Sequence, residues 1–279
     1  MLPVGQGDCV VMQCPNGHLV MYDCGSIDAQ KAFTTEELKF AILKYVKAVT
    51  IFISHGDLDH YKYLPNLFPA DGLVKIFIDY VIIGGDLEDY TQIQGWMHSV
   101  ASKGKLYKIN DGEECIGDCS DMLDRVPYHQ TWTHQRTTLG DMNICRRQDI
   151  NFDIIAANVR SPKNQKSIVL KATAGGRSML LSGDIEGKAA EAVAKDVPDQ
   201  LKSDVYQISH HGACDKANKC PWLEAIHLEE AFVSHAYAGQ HSHPRCVAIL
   251  KLLKLKSIAT GHELSPLTHP LIYVRQNKD

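Results

Sequence analysis

The chain has no apolar run approaching the roughly 20 residues that a membrane-spanning helix needs, so no membrane span is expected. Its opening, Met1-Leu2-Pro3-Val4-Gly5-Gln6-Gly7-Asp8, has no basic stretch ahead of an apolar one. No secretory leader is read there, and a cytoplasmic setting is the default expectation. Positive charge is not in excess: 29 Lys and Arg stand against 33 Asp and Glu, and a net charge of −4 argues against a broad basic face for long duplex DNA. No RNP-type or aromatic stacking motif occurs. Cys-x-x-Cys is missing too. The 9 cysteines are odd in number and scattered, Cys115 and Cys119 being the nearest pair. That pattern argues against a disulfide framework or an all-cysteine zinc site and predicts free structural thiols. With no repeat, low-complexity segment or clear linker, the 279 residues are expected to form a single domain over 1–279.

What is present is apolar patterning and histidine. Residues 8–14 and 18–23 read as strands around the turn Pro15-Asn16-Gly17, and Thr35-Glu36-Glu37 opens an amphipathic helix. Strands are predicted over 49–53, 75–83, 152–159, 167–172, 178–181, 205–209 and 231–234. Helices are predicted from near Tyr61, over 89–102 and 185–194, and from Pro244 to Leu253. The stretch from about 108 to 150 lacks such patterning and reads as an insertion or long loop region, with Tyr128, Trp132 and His134 as lid candidates. Strand-rich and mixed segments alternate twice, which predicts an α/β protein built as a four-layer αββα sandwich.

Several of the 14 histidines lie where strands end. Ser54-His55-Gly56-Asp57-Leu58-Asp59-His60 follows the run 49–53 and places two imidazoles and two carboxylates on one loop. Such acids repel one another unless a divalent cation lies between them. Similar contexts recur at Leu181-Ser182-Gly183-Asp184, at Ser209-His210-His211-Gly212 and at His241-Ser242-His243-Pro244. Taken singly, Asp184 reads equally as a helix cap and the histidines as turn residues. Together they read as one metal constellation.

These stretches occur in an order that resembles the metallo-β-lactamase superfamily. Val4-Gly5-Gln6-Gly7-Asp8, Asp23-Cys24-Gly25, Asn164 with Ser167 to Leu170, and Ser209-His210-His211-Gly212 resemble its ComEC-like branch, named for the hydrolase domain of the bacterial DNA-internalisation competence protein. The resemblance implies two divalent metal ions, Zn²⁺ or Mn²⁺ with Mg²⁺ as an alternative. It assigns His55 and Asp57 to the first, Asp59, His60 and His210 to the second, and Asp184 between them. His211 or His243 would meet substrate. Asp57 stands where the wider superfamily has histidine, and a third histidine for the first ion has no counterpart. An oxygen-rich shell there favours harder ions.

The implied activity is metal-dependent hydrolysis of a phosphodiester, in nucleic acid or a nucleotide, with Asp59 orienting water and His211 or His243 serving the leaving oxygen. Lys163, Lys166, Lys171 and Arg177 would supply positive charge near the site. Ends, single strands or small nucleotides suit the chain better than duplex. The same centre would also serve a carboxylic ester, lactone or thioester, and the missing histidine is equally what a catalytically impaired binding or regulatory module would show. No membrane or protein partner is expected.

Overall fold

A computed structural model describes residues 1–2, 4, 7–27, 34–43, 46–69, 77–109, 113–126, 136–142, 144–145, 149–160, 163–214, 216–219, 221–226, 230–234 and 256–259. Its first half runs β1 (Val10–Gln13), β2 (His18–Tyr22), α1 (Thr35–Leu43), β3 (Ala48–Ile53), α2 (Leu58–Tyr61), α3 (Leu64–Leu67), β4 (Phe77–Ile83), α4 (Gln94–Ser102) and β5 (Leu106–Ile109). Short strands β6 (Cys115–Ile116), β7 (Leu123–Arg125) and β8 (Arg136–Thr137) follow. The second half runs β9 (Ile150–Ala157), β10 (Val169–Ala174), β11 (Arg177–Leu181), α5 (Gly187–Asp196), α6 (Pro198–Leu201), β12 (Val205–Gln207), α7 (Trp222–Ile226), β13 (Glu230–Val233) and β14 (Lys256–Ala259).

The strands form two seven-stranded sheets, ordered β1-β2-β3-β4-β5-β7-β8 and β14-β13-β12-β11-β10-β9-β6. Alternation along the strands explains the layering. On β3, Val49, Ile51 and Ile53 face one core while Phe52 faces another, and on β2 Leu19 and Met21 part from Val20 and Tyr22 in the same way. The first set packs under α1, α3 and α4. Phe52, Val20 and Tyr22 instead meet Ile154, Leu170 and Leu181 of the opposite sheet. Val169 and Leu180 turn outward beneath α5, α6 and α7. The result is the expected αββα sandwich.

Each sheet mixes directions in the same way. β2, β3, β4 and β5 are parallel neighbours, as are β11, β12, β13 and β14. The β10–β11 hairpin turns on Gly175 and Gly176, both at positive φ, as a two-residue turn requires. The cap of α1 is Thr34, whose hydroxyl accepts from the Glu37 amide while the Glu37 carboxylate accepts from the Thr34 amide. Within the unpatterned stretch 108–150, β7 and β8 extend one sheet and β6 the other. Tyr128, Trp132, His134 and the helix predicted over Pro244–Leu253 lie outside the described residues. No helix among the described residues is long and apolar enough to cross a membrane.

The thiol expectation is overturned. Cys9–Cys24, Cys14–Cys145 and Cys115–Cys119 are disulfides, with Cα–Cα separations of 4.1, 5.3 and 6.1 Å. Cys214 is disulfide-bonded as well. The cause of the discrepancy is tertiary: Cys14 and Cys145 are 131 residues apart in the chain, and only the stacking of the sheets brings them together.

Candidate metal centre

The parallel strands of the two sheets deliver their C-terminal ends to one place. From β2 comes Asp23, from β3 the loop Ser54–His60, from β11 Asp184, from β12 Ser209–His211 and from β13 Ser234. Contacts across the sheets hold these ends together. The Ile168 amide donates to the Ser54 carbonyl at 2.9 Å, and the Tyr22 hydroxyl donates to the Ile168 carbonyl at 2.6 Å. Gly183, at φ +53, allows the close approach, since a Cβ there would fall 2.6 Å from that of Ser54.

Each central histidine is pinned by Nδ1, leaving Nε2 turned inward. His60 Nδ1 lies 2.8 Å from Asp23 Oδ2, and Asp23 also accepts from the Ser54 amide and hydroxyl, each at 2.7 Å. His55 Nδ1 lies 2.9 Å from Ser54 Oγ and 3.4 Å from Ser167 Oγ. His211 Nδ1 lies 2.9 Å from the Ser234 carbonyl oxygen. Partners on the far ring nitrogen are what orient metal-binding imidazoles.

The inward atoms have no hydrogen-bond partner. They are Nε2 of His55, His60 and His211 and Oδ1 of Asp184, all buried. A buried polar atom left unsatisfied costs about 1–3 kcal/mol. Four of them converging fit a cation, because each imidazole, once its Nε2 proton is displaced, and the carboxylate offer a lone pair to one small space. Asp184 is central: Oδ1 is 3.4 Å from His60 Nε2 and Oδ2 is 3.6 Å from His211 Nε2. Asp59 Oδ2 lies 3.2 Å from His211 Nε2, and Asp57 Oδ2 lies 3.5 Å from His55 Nε2. Ligand-type groups form as His55–His60–Asp184, Asp59–His60–His211, Asp8–Asp23–His60 and Asp8–Asp184–His211, each with its atoms within 4.8 Å.

His210, expected as a metal ligand, and His211, expected to meet substrate, sit differently in the site. His211 enters the buried groups, whereas His210 stands at the rim, with Nδ1 3.1 Å from Glu186 Oε2 and Nε2 3.9 Å from Asp184 Oδ2. Simple alternation in an extended strand does not apply, because His210, His211 and Gly212 turn in succession through left-handed backbone, at φ 49, 50 and 81. His243 and His241 lie outside the described residues.

Of the four cations expected near the site, Lys163 comes to its edge, 3.8 Å from Asp57 Oδ1. Lys166 is held by Asp89 at 2.9 Å and Asp86 at 3.3 Å. Lys171 donates to the Gln200 carbonyl, and Arg177 begins β11 at the end opposite the site.

Asp8 and Asp23 were given no role by sequence reasoning. Both are buried, and Asp8 Oδ2 accepts from Gln207 Nε2 at 2.6 Å and lies 3.8 Å from His60 Nδ1. The available signal was an aspartate flanking each end of the first hairpin, in Gly7-Asp8 and Asp23-Cys24.

Burial and charge pull against each other throughout. Burial raises the Asp8 carboxyl to about 7 despite the neighbouring histidines. Burial also opposes charge on His211, yet Asp184, Asp59 and Asp8 lift its pKa to about 9. At His60 burial is likewise outweighed, by Asp184 and Asp23, and the pKa rises well above the ordinary value. Burial disfavours the Asp184 carboxylate, but His211 and His60 hold it well below the usual range.

The four-layer αββα sandwich with ligand-type residues at its facing strand ends is the architecture that the resemblance to the metallo-β-lactamase superfamily implies. In sequence the chain is similar to competence proteins. It is 31% identical to competence protein ComA of Neisseria gonorrhoeae over 97 residues, which is 34% of this chain and 14% of that protein. It is 27% identical to ComE operon protein 3 of Bacillus subtilis (strain 168) over 118 residues, 42% of this chain and 15% of that protein. The matched segments are thus a small part of each relative. Among solved structures, a long-form RNase Z from yeast is similar at 13% identity and a TM-score of 0.46, over 84% of this chain and 36% of that one. CmlA, a diiron β-hydroxylase from Streptomyces venezuelae, is similar at 13% identity and a TM-score of 0.45, over 91% of this chain and 51% of that one. No family model matches the chain.

Proposed function

We propose that the chain is a metal-dependent hydrolase that cleaves phosphodiesters at a two-cation centre. The reading is carried by the convergence of four buried ligand atoms that make no hydrogen bond, on His55, His60, His211 and Asp184. Asp59, His60 and His211 would hold one cation, His55 and Asp57 the other, with Asp184 shared. The first set offers two imidazoles and suits Zn²⁺ or Mn²⁺; the second, richer in oxygen, suits Mn²⁺ or Mg²⁺.

When bound, such ions polarise phosphoryl oxygens and make water a stronger nucleophile near neutral pH. The chain's own groups do the rest. Asp59, fixed against His211, orients the attacking water. His210, oriented by Glu186 and partly exposed, faces the substrate and delivers a proton to the leaving oxygen. Lys163 at the edge meets an anionic substrate, which favours a phosphodiester over a neutral ester. Among the described residues, one of the four expected cations, Lys163, reaches the rim, which suits ends, single strands or nucleotides rather than a gripped duplex.

The test is metal analysis coupled to a substrate panel. After loading with Mn²⁺ or Zn²⁺, the protein is expected to retain more than one equivalent and to cleave a phosphodiester reporter faster than a lactone reporter. Retention of less than one equivalent with no hydrolysis would leave a binding module, and preference for the lactone would move the activity to carbonyl substrates.

A further inference from the structure

We propose that the Cys9–Cys24 disulfide is a positioning cross-link for the metal centre, which makes assembly of that centre dependent on an oxidising environment. The proposal rests on the metal-centre reading above. Cys9 directly follows Asp8, and Cys24 directly follows Asp23. Both acids bear on one imidazole: Asp23 Oδ2 lies 2.8 Å from His60 Nδ1 and Asp8 Oδ2 lies 3.8 Å from the same atom. The cross-link therefore joins the two segments that orient His60.

Its position matters because the sheet no longer does this work there. The antiparallel ladder between β1 and β2 has Val10↔Tyr22 as its terminal pair, and the disulfide spans the strands just beyond it. From that point the two segments clasp the ligand loop by backbone bonds. The Asp8 amide donates to the Asp59 carbonyl at 3.1 Å and the Cys24 amide to the His60 carbonyl at 2.7 Å, while the Gly25 amide, donating to the Asp8 carbonyl at 3.0 Å, ties the two segments to each other. Contact is tight enough that a Cβ on Gly25 would fall 2.6 Å from the Asp59 carbonyl carbon. Asp23 itself sits at φ 55, a conformation that a non-glycine residue keeps only when its surroundings enforce it.

Both cysteines are fully buried, so the bond is made as the chain folds and is then shielded from reductants. Its formation transfers two electrons and two protons from the two thiols to a disulfide-class oxidant, which leaves as a dithiol. A compartment that holds thiols reduced would deliver a chain whose acids are less firmly placed. Cys115–Cys119 spans a short edge segment that carries none of these ligands and serves as the control.

The experiment compares Cys9→Ala/Cys24→Ala and Cys9→Ser/Cys24→Ser with Cys115→Ala/Cys119→Ala. Zn²⁺ and Mn²⁺ affinities are read by chelator competition, with thermal melts alongside. The Cys9/Cys24 variants are expected to fold and to bind metal about 10- to 100-fold more weakly, the usual size of a lost outer-shell support. The Cys115/Cys119 variant is expected to melt lower with unchanged metal affinity. Unchanged affinity in the Cys9/Cys24 variants would overturn the proposal. So would their failure to fold at temperatures where the control is folded, since the bond would then hold the domain rather than the site. Failure of the wild-type protein to bind either metal would instead refute the metal-centre reading itself.

Discussion

Asp184 presents Oδ1 to His60 Nε2 at 3.4 Å and Oδ2 to His211 Nε2 at 3.6 Å, so its two oxygens serve opposite sides of one small space. Asp184→Asn keeps the shape but replaces one charged oxygen with an NH₂ donor. Loss of a shared ligand is expected to weaken metal binding by at least about 100-fold, beyond the range set by outer-shell partners. Metal content and turnover should fall together, and full metal content in that variant would show that Asp184 is not a ligand. On the proposed reading the histidine pair divides by role. His211→Ala should lose metal, whereas His210→Ala should retain it and lose about 10²- to 10⁴-fold in turnover, the range of a general acid. Metal analysis beside steady-state rates separates the two, and the opposite pattern would restore His210 as ligand.

At the scale of elements, the strand-to-loop contexts at 54–60, 181–184 and 209–212 were legible because apolar runs end abruptly in ligands. Which histidine of 210 and 211 points inward was not, because it depends on consecutive left-handed residues rather than on strand alternation. The edge strands β6, β7 and β8 were also hidden, being two or three residues long. No periodicity accumulates over so few positions, and tertiary pairing decides them. Gly183 shows how closely the elements must approach. Gly183→Ala forces a Cβ to within 2.6 Å of Ser54 Cβ at φ +53. A cost of about 1–3 kcal/mol is expected from the backbone alone. Urea unfolding of the metal-stripped variant measures it, and a midpoint equal to wild type would mean that the sheets can separate freely at this end.

For the whole molecule, the two sheets converge their charges on one buried place, and this couples metal, protons and stability. The His211 pKa of about 9 lies above its ordinary 6.5 because Asp184, Asp59 and Asp8 outweigh burial. A pKa raised by folding means that the folded protein holds the proton more tightly than the unfolded chain. In chelator-treated protein this contribution is complete below pH 6.5 and is lost as pH rises through about 9. Melting temperature in chelator should therefore decline across that window. Metal changes the sign, since a cation at Nε2 must displace the proton. Apparent metal affinity should rise with pH over the same interval, and binding near neutrality should release roughly two protons, from His60 and His211. Calorimetry in buffers of different ionisation enthalpy counts those protons. Binding without proton release would mean that both imidazoles are already neutral, and that the acids around them support geometry rather than charge.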